Sequence, residues 1–262
     1  MPVGRNVSPL TPSLTRHRAN GLAVAVLTVS VLAWVGLLTF TATQQAMGSP
    51  WAMPMSADWS PTQALLMLTM WVVMMVAMML PSAYPMLAAY DRAVRADPAS
   101  EPWSVAVFAV GYLVCWGLFA AVATGLQWWL LAHSAVDSMG VLVQPAAASL
   151  ALVVAGIYEL TPAKLTMLGH CRAPVGFLAT EWRDGRTGAL RMGVAHGRTC
   201  LACCWAVMLL LFVLGVMNLW WVLAIAAFVA LEKLTRSAAV PRVAGALFIG
   251  AGLTVFLVSA TA

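Results

Sequence analysis

The chain has 262 residues, of which 62% are hydrophobic and only 9% charged. Soluble domains carry roughly 25% charged residues, so this composition excludes a water-covered globule, and it excludes a disordered chain as well. Fourteen Lys and Arg against nine Asp and Glu give a net charge of +5. No nucleic-acid module accompanies that charge, and no nucleic-acid partner is expected.

Seven apolar segments stand out, at about 21–41, 62–86, 103–131, 145–161, 199–217, 219–234 and 241–259. Runs of this length predict an all-α, polytopic membrane helical bundle whose partner is the lipid bilayer. The first segment follows a polar tail, 1–20, containing Arg5, Arg16, His17 and Arg18. Its run is longer than a signal-peptide core of roughly 7–15 residues, which predicts a retained anchor. Residues 21–262 are expected to form one transmembrane domain with a polar loop at 162–198.

The basic residues orient these spans. With the N-terminus in the cytoplasm, the inner pieces hold Arg5, Arg16, Arg18, Arg92, Arg95, Lys164, Arg172, Arg183, Arg186, Arg191, Arg198, Lys233, Arg236 and Arg242, which is all fourteen. The outer pieces hold none. The positive-inside rule asks only for a bias, so this partition favours seven transmembrane helices with a cytoplasmic N-terminus. Six helices are the alternative. Trp51, Trp59, Trp128, Trp129, Trp220 and Trp221 fall at segment ends or in the first outer loop, where an indole keeps its ring apolar and its N–H wet. Gly117, Ala121 and Gly125, and Ala246 and Gly250, have the small-residue spacing that permits close helix packing.

Four of the five cysteines lie in or beside the 162–198 loop. A helix starting near His196 places His196, Cys200, Cys203 and Cys204 on one face. Cys171, with His170, reaches over from the loop. Thiolates and imidazole at this spacing suit copper, with zinc the alternative. Ligands held by one ion bring the Cys171, Cys200 and Cys203 sulfurs within roughly 4–5 Å of one another. Cys200 and Cys203 also form a Cys-x-x-Cys pair, which suits thiol–disulfide exchange. Cys115 stands alone in the third segment and is expected to pack. Glu159 and Glu232 lie roughly 21 Å and 18 Å into their spans at 1.5 Å per residue, close to the depth of Cys203. Intramembrane carboxylates point to function; pairing with a nearby Lys or Arg is the structural alternative.

Ten of sixteen methionines fall between 47 and 86. Met53 and Met55 flank a proline in the first outer loop. Met70, Met74 and Met78 form one helical stripe, with Met67, Met75 and Met79 beside it. Thioether favours Cu(I), so Met53, Met55, Met70, Met74 and Met78 could form a metal relay; gap-filling in a core is the plainer account. Pro81 and Pro85 predict a break near the inner end of the second span.

Met70-Trp-Val-Val-Met-Met-Val-Ala-Met-Met-Leu-Pro81, Glu159-Leu-Thr-Pro-Ala-Lys164 with Cys171-Arg-Ala-Pro174, and His196-Gly-Arg-Thr-Cys-Leu-Ala-Cys-Cys-Trp205 followed by Glu232-Lys233 resemble a bacterial family of predicted metal-binding integral membrane proteins of unknown function. The resemblance covers about 64–233, and its most specific part is His-Gly-x-x-Cys-x-x-Cys-Cys-Trp. Ala202 departs from the expected glycine and touches no proposed ligand. The resemblance implies a multi-pass protein of the bacterial inner membrane and a metal set of Cys171, His196, Cys200, Cys203 and Cys204, with Glu159 and Glu232 on or behind it. Copper binding, transfer or transport, with a metal chaperone or metalloenzyme as partner, is the leading expectation. A membrane thiol–disulfide oxidoreductase using Cys200 and Cys203, and a structural subunit of a membrane complex, are the alternatives; a catalytic role is not favoured.

Overall fold

The structure, a computed structural model, describes residues 12–44, 58–96, 101, 103–137 and 140–261. These form eleven helices: α1 Pro12–Gln44, α2 Pro61–Ser82, α3 Tyr84–Ala96, α4 Ser104–Ala132, α5 Pro145–Leu160, α6 Pro162–Cys171, α7 Pro174–Glu181, α8 Gly185–Leu209, α9 Leu211–Leu214, α10 Leu219–Leu234 and α11 Ala239–Thr261. An isolated bridge between Val136 and Leu142 is the β-type pairing among the described residues. The all-α expectation therefore stands.

Several helix starts are written in the chain. Ser60 caps α2, accepting from Gln63 N at 3.3 Å, while Gln63 Oε1 accepts from Ser60 N at 2.8 Å. This reciprocal pair satisfies two otherwise orphaned amides. Pro61, Pro145, Pro162 and Pro174 open α2, α5, α6 and α7, where a missing N–H costs nothing. Pro81 sits inside α2. The chain breaks at Ala83 and restarts as α3, between the two prolines expected to cause the break.

Among the described residues, five helices are long and apolar enough to cross a membrane: α1 from Gly21, α2, α4, α8 with α9, and α11. The α5/α6 pair, bent by 66°, makes six if counted as one broken span. These helices are compatible with a multi-pass membrane protein. The remaining expected span, α10, has 16 residues, or about 24 Å at 1.5 Å per residue. That is shorter than a hydrocarbon core of about 30 Å.

The segment 162–198, expected as a polar loop, is instead mostly helical. It contains α6, α7 and the first turns of α8, which starts at Gly185 rather than near His196. Arg183, Arg186, Arg191 and Arg198 suggest a loop by their density, but they are exposed beside a helix. The buried face runs through Ala189, Met192, Gly193, His196, Gly197 and Cys200, the three- and four-residue steps of a helix.

Two glycine-lined seams bring helices close. Along α4/α8, a Cβ on Gly193 would collide with the Phe108 carbonyl oxygen, and one on Gly111 with that of Leu190. Along α5/α11, a Cβ on Gly156 would stand 2.6 Å from Gly245 O, and one on Gly245 2.8 Å from Gly156 O. The glycines singled out by spacing do not do this. Gly117, Gly125 and Gly250 have nothing within 4 Å of a built Cβ, and Ala121 and Ala246 are exposed. Their stripes face outward, because spacing alone cannot say which side of an all-apolar helix meets protein.

Trp71, Trp116, Tyr112 and Phe108 are fully buried, and Trp71 Nε1 donates to Gln127 Oε1 at 2.7 Å. Met67, Met70, Met74, Met75, Met78 and Met79 all lie in the same core as Cys200, Cys203 and Cys204. Trp128, Trp129, Trp220 and Trp221 are exposed, as interfacial residues would be. Arg5, Met47, Trp51, Met53 and Met55 fall outside the described residues.

Candidate metal centre

The inner face of α8 carries His196, Cys200, Cys203 and Cys204, all buried. Cys171 arrives from the C-terminal end of α6, whose start is set by Thr161 Oγ1 accepting from Lys164 N at 3.2 Å. The Cys171 and Cys203 sulfurs lie 3.8 Å apart, and those of Cys203 and Cys204 3.1 Å apart. Cys203 Sγ also donates to the Cys200 carbonyl at 3.1 Å. No disulfide joins these thiols. Cys203 thus meets two thiols, but among the described residues no three His, Cys, Asp or Glu side chains are set as a ready site for an ion.

Cys200 lies against the other three thiols and has further partners besides. Lys233 Nζ donates to its sulfur at 3.0 Å and to Ser82 Oγ at 2.8 Å. Tyr112 OH lies 3.2 Å from the same sulfur and 3.1 Å from the Met79 carbonyl, to which it donates. A cavity of about 40 Å³ opens beside this group, lined by Ser82, Met86, Cys171, Arg172, His196 and Lys233. One water needs about 10–15 Å³ by this measure, so the cavity has room for a small ion or water. His196 Nδ1 is buried and has no hydrogen-bond partner. The His196 ring stacks on Tyr112 at 5.7 Å and meets Phe177 edge-on at 5.6 Å.

The two glutamates join through a lysine. Lys164 Nζ donates to Glu159 Oε1 at 2.7 Å and to Glu232 Oε2 at 2.9 Å, and all three side chains are 0% exposed. Glu159 Oε2 and Glu232 Oε1 have no partner. A buried pair of carboxylates around one ammonium holds more acceptors than donors. Arg172, next to Cys171, donates to the Glu232 and Ser237 carbonyls at 2.8 Å and 3.1 Å. It thereby ties the end of α6 to α10.

Cys115 stays apart on α4, with its thiol toward the Val194 carbonyl at 3.4 Å. His170 is exposed. Sequence reasoning missed Tyr112 and Ser82. Neither carried a signal, since a lone tyrosine or serine in an apolar span is ordinary. Lys233 was visible as a charge ending an apolar run, but its contact with a thiol was not.

Membrane-length helices packed around buried thiols, an imidazole and paired charges describe a helical protein with soft donors at its centre. The sequence model of the PpoB2 copper chaperone family matches residues 68–255. That stretch covers most of the chain and contains every residue of this centre. The chain belongs to that family, and membership supports a copper-related role. No curated protein and no solved structure matches the chain.

Proposed function

We propose that this chain is an integral protein of a bacterial inner membrane that holds Cu(I) on two or three donors drawn from the Cys171, Cys200, Cys203 and Cys204 thiolates and His196, and passes it to or from a metal chaperone or copper enzyme. The observation that carries this reading is the approach of Cys171, at the end of α6, to within 3.8 Å of Cys203 in α8. Segments far apart in sequence converge beside a cavity lined by His196, whose Nδ1 has no hydrogen-bond partner.

Copper is favoured over zinc on chemistry. Structural zinc takes four ligands in a closed tetrahedron, whereas Cu(I) accepts two or three soft donors. Paired thiols in a core rich in thioethers suit the softer ion. Glu159 and Glu232 stand behind the thiols, joined through Lys164. A cytoplasmic N-terminus keeps the cysteines on the reducing side, where thiols persist. Met53 and Met55 would collect metal outside, and Met70, Met74 and Met78 would line its way inward.

The test compares Cys203→Ser with Cys115→Ser in purified protein loaded with Cu(I). Serine conserves size and removes the thiolate, so packing alone predicts little change for either. The proposal expects at least tenfold less bound copper for Cys203→Ser and none lost for Cys115→Ser. A thiol-exchange enzyme behaves differently. It would lose redox turnover with Cys200→Ser or Cys203→Ser and tolerate Cys171→Ser, Cys204→Ser and His196→Ala.

A further inference from the structure

Of the four clustered thiols, Cys171 alone lines the cavity beside them. Cys200, Cys203 and Cys204 are at most 1% exposed and form no part of its wall. The cavity is graded. Pro85, Cys171, Arg172 and Pro174 are its half-buried residues, whereas Met86 and His196 are buried. Of all the lining residues, Cys171, Met86 and His196 carry sulfur or imidazole, the donors that suit a soft ion. They come from α6, α3 and α8. Met86 reaches the cavity because α2 ends at Ser82 and α3 restarts at Tyr84, the break that Pro81 and Pro85 bracket. His196 Nδ1 has no hydrogen-bond partner, so taking up an ion there breaks no protein hydrogen bond.

We propose that this cavity is the port through which Cu(I) reaches the thiols: Met86 and His196 receive the ion, and Cys171 carries it inward to Cys203. This deepens the copper reading and rests on it. Cys171 belongs to both groups, lining the cavity and lying 3.8 Å from the Cys203 sulfur. Cys203 is in turn 3.1 Å from Cys204. An ion in the cavity first trades water for a neutral thioether and a neutral imidazole. Cys171 then binds it as a thiolate and gives its proton to water in the cavity. At the next step the ion passes from Cys171 to Cys203, and the Cys203 thiol proton passes to Cys171. One metal–sulfur bond forms as another breaks, and the metal stays Cu(I). The exchange needs no oxidant and no outside base. Met86 lets go of the ion at the end, so it governs how fast copper moves and not how tightly it is finally held.

The experiment supplies Cu(I) to the purified full chain in detergent, without oxygen, as its complex with a chromophoric chelator. The chelator's absorbance gives both the rate of transfer and the final affinity. Met86→Leu should slow loading, and release to excess chelator, by about tenfold or more each, while the affinity stays within about threefold. Met192→Leu, in the same apolar cluster as Met86 but off the cavity, should change neither. Should Met86→Leu fail to fold, limited alkylation of the unaltered protein by iodoacetamide, read by peptide mass spectrometry, carries the test. Cys171 should be modified before Cys203 and Cys204. A Met86→Leu protein with weaker affinity and an unchanged loading rate would make Met86 a ligand of the resting site and overturn the port. Unchanged rates, or alkylation of Cys203 or Cys204 as early as Cys171, overturn it too. Each of these results leaves the copper reading standing, because that reading is tested by Cys203→Ser. Unaltered protein that takes up no Cu(I) overturns both.

Discussion

Lys164→Leu isolates the charge cluster that joins α5, α6 and α10. The ammonium is 0% exposed and sits 2.7 Å and 2.9 Å from two carboxylates that are themselves fully buried. At an effective dielectric of about 20, each contact is worth roughly 6 kcal/mol of Coulomb attraction. Desolvation of three ions and repulsion between the glutamates consume most of that sum. Removing one member of a buried ion cluster costs about 3–5 kcal/mol, because the remaining charges lose their compensation. Leucine fills most of the space, so little of the loss is cavity. The check is reversible unfolding in mixed micelles, comparing Lys164→Leu with the triple variant that also carries Glu159→Gln and Glu232→Gln. The single variant should lose about 3–5 kcal/mol. The triple variant should recover at least half of it, since buried ionic sets are often replaceable by neutral ones. A loss under about 1 kcal/mol for Lys164→Leu, the range of an exposed ion pair, would show that the three groups do not form a buried charge cluster.

Three further outcomes follow from the packing and the topology. Gly193→Ala should destabilise the protein by about 1–3 kcal/mol as an overpacked contact, since its Cβ meets the Phe108 carbonyl. Gly117→Ala, on an open face, should stabilise by up to about 1 kcal/mol through helix propensity. The same unfolding assay reads both, and equal effects would refute the α4/α8 seam. A cysteine introduced at exposed Thr187 should react in intact cells only with a membrane-permeant reagent, and labelling by an impermeant one would reverse the proposed orientation. Met53→Leu with Met55→Leu should lower copper accumulation at limiting copper without loss of folded protein, and unchanged accumulation would remove capture by the outer loop.

The helices were legible because hydrophobicity in this chain comes in runs bounded by prolines and polar residues. The start expected at 145 falls at Pro145 and the one expected near 62 at Pro61, whereas Pro162 opens a helix where a loop was expected. In the stretch 162–198 charge density marks the exposed side of helices and not a loop. Arg183, Arg186, Arg191 and Arg198 can all lie beside a helix whose other face is Ala189, Gly193, His196 and Gly197. The close helix contacts were illegible for a related reason. On a segment apolar all round, the Gly117 and Gly111 faces are equivalent in sequence, and only the partner helix decides that Gly111 is the one enclosed.

The site was legible where chemistry and spacing coincide in one helix, and less so where it depends on contacts across the fold. Cys200, Cys203 and Cys204 share a face because a helix dictates it. That Lys233 would meet Cys200, and Ser82 would meet Lys233 across 151 positions, is a property of packing alone. The glutamates lie between these cases. Their depth placed them near the thiols, and the lysine nearest Glu159 in sequence is indeed its partner, but Lys164 takes Glu232 as well. Each carboxylate then spends one oxygen on the ammonium and keeps one without a hydrogen-bond partner. Metal ligation through that second oxygen would leave the ion pair intact, so a structural and a ligand role for Glu159 and Glu232 do not compete for the same atom. One ammonium offsets one of two carboxylate charges, so with both glutamates ionised the cluster keeps a net negative charge behind the thiols.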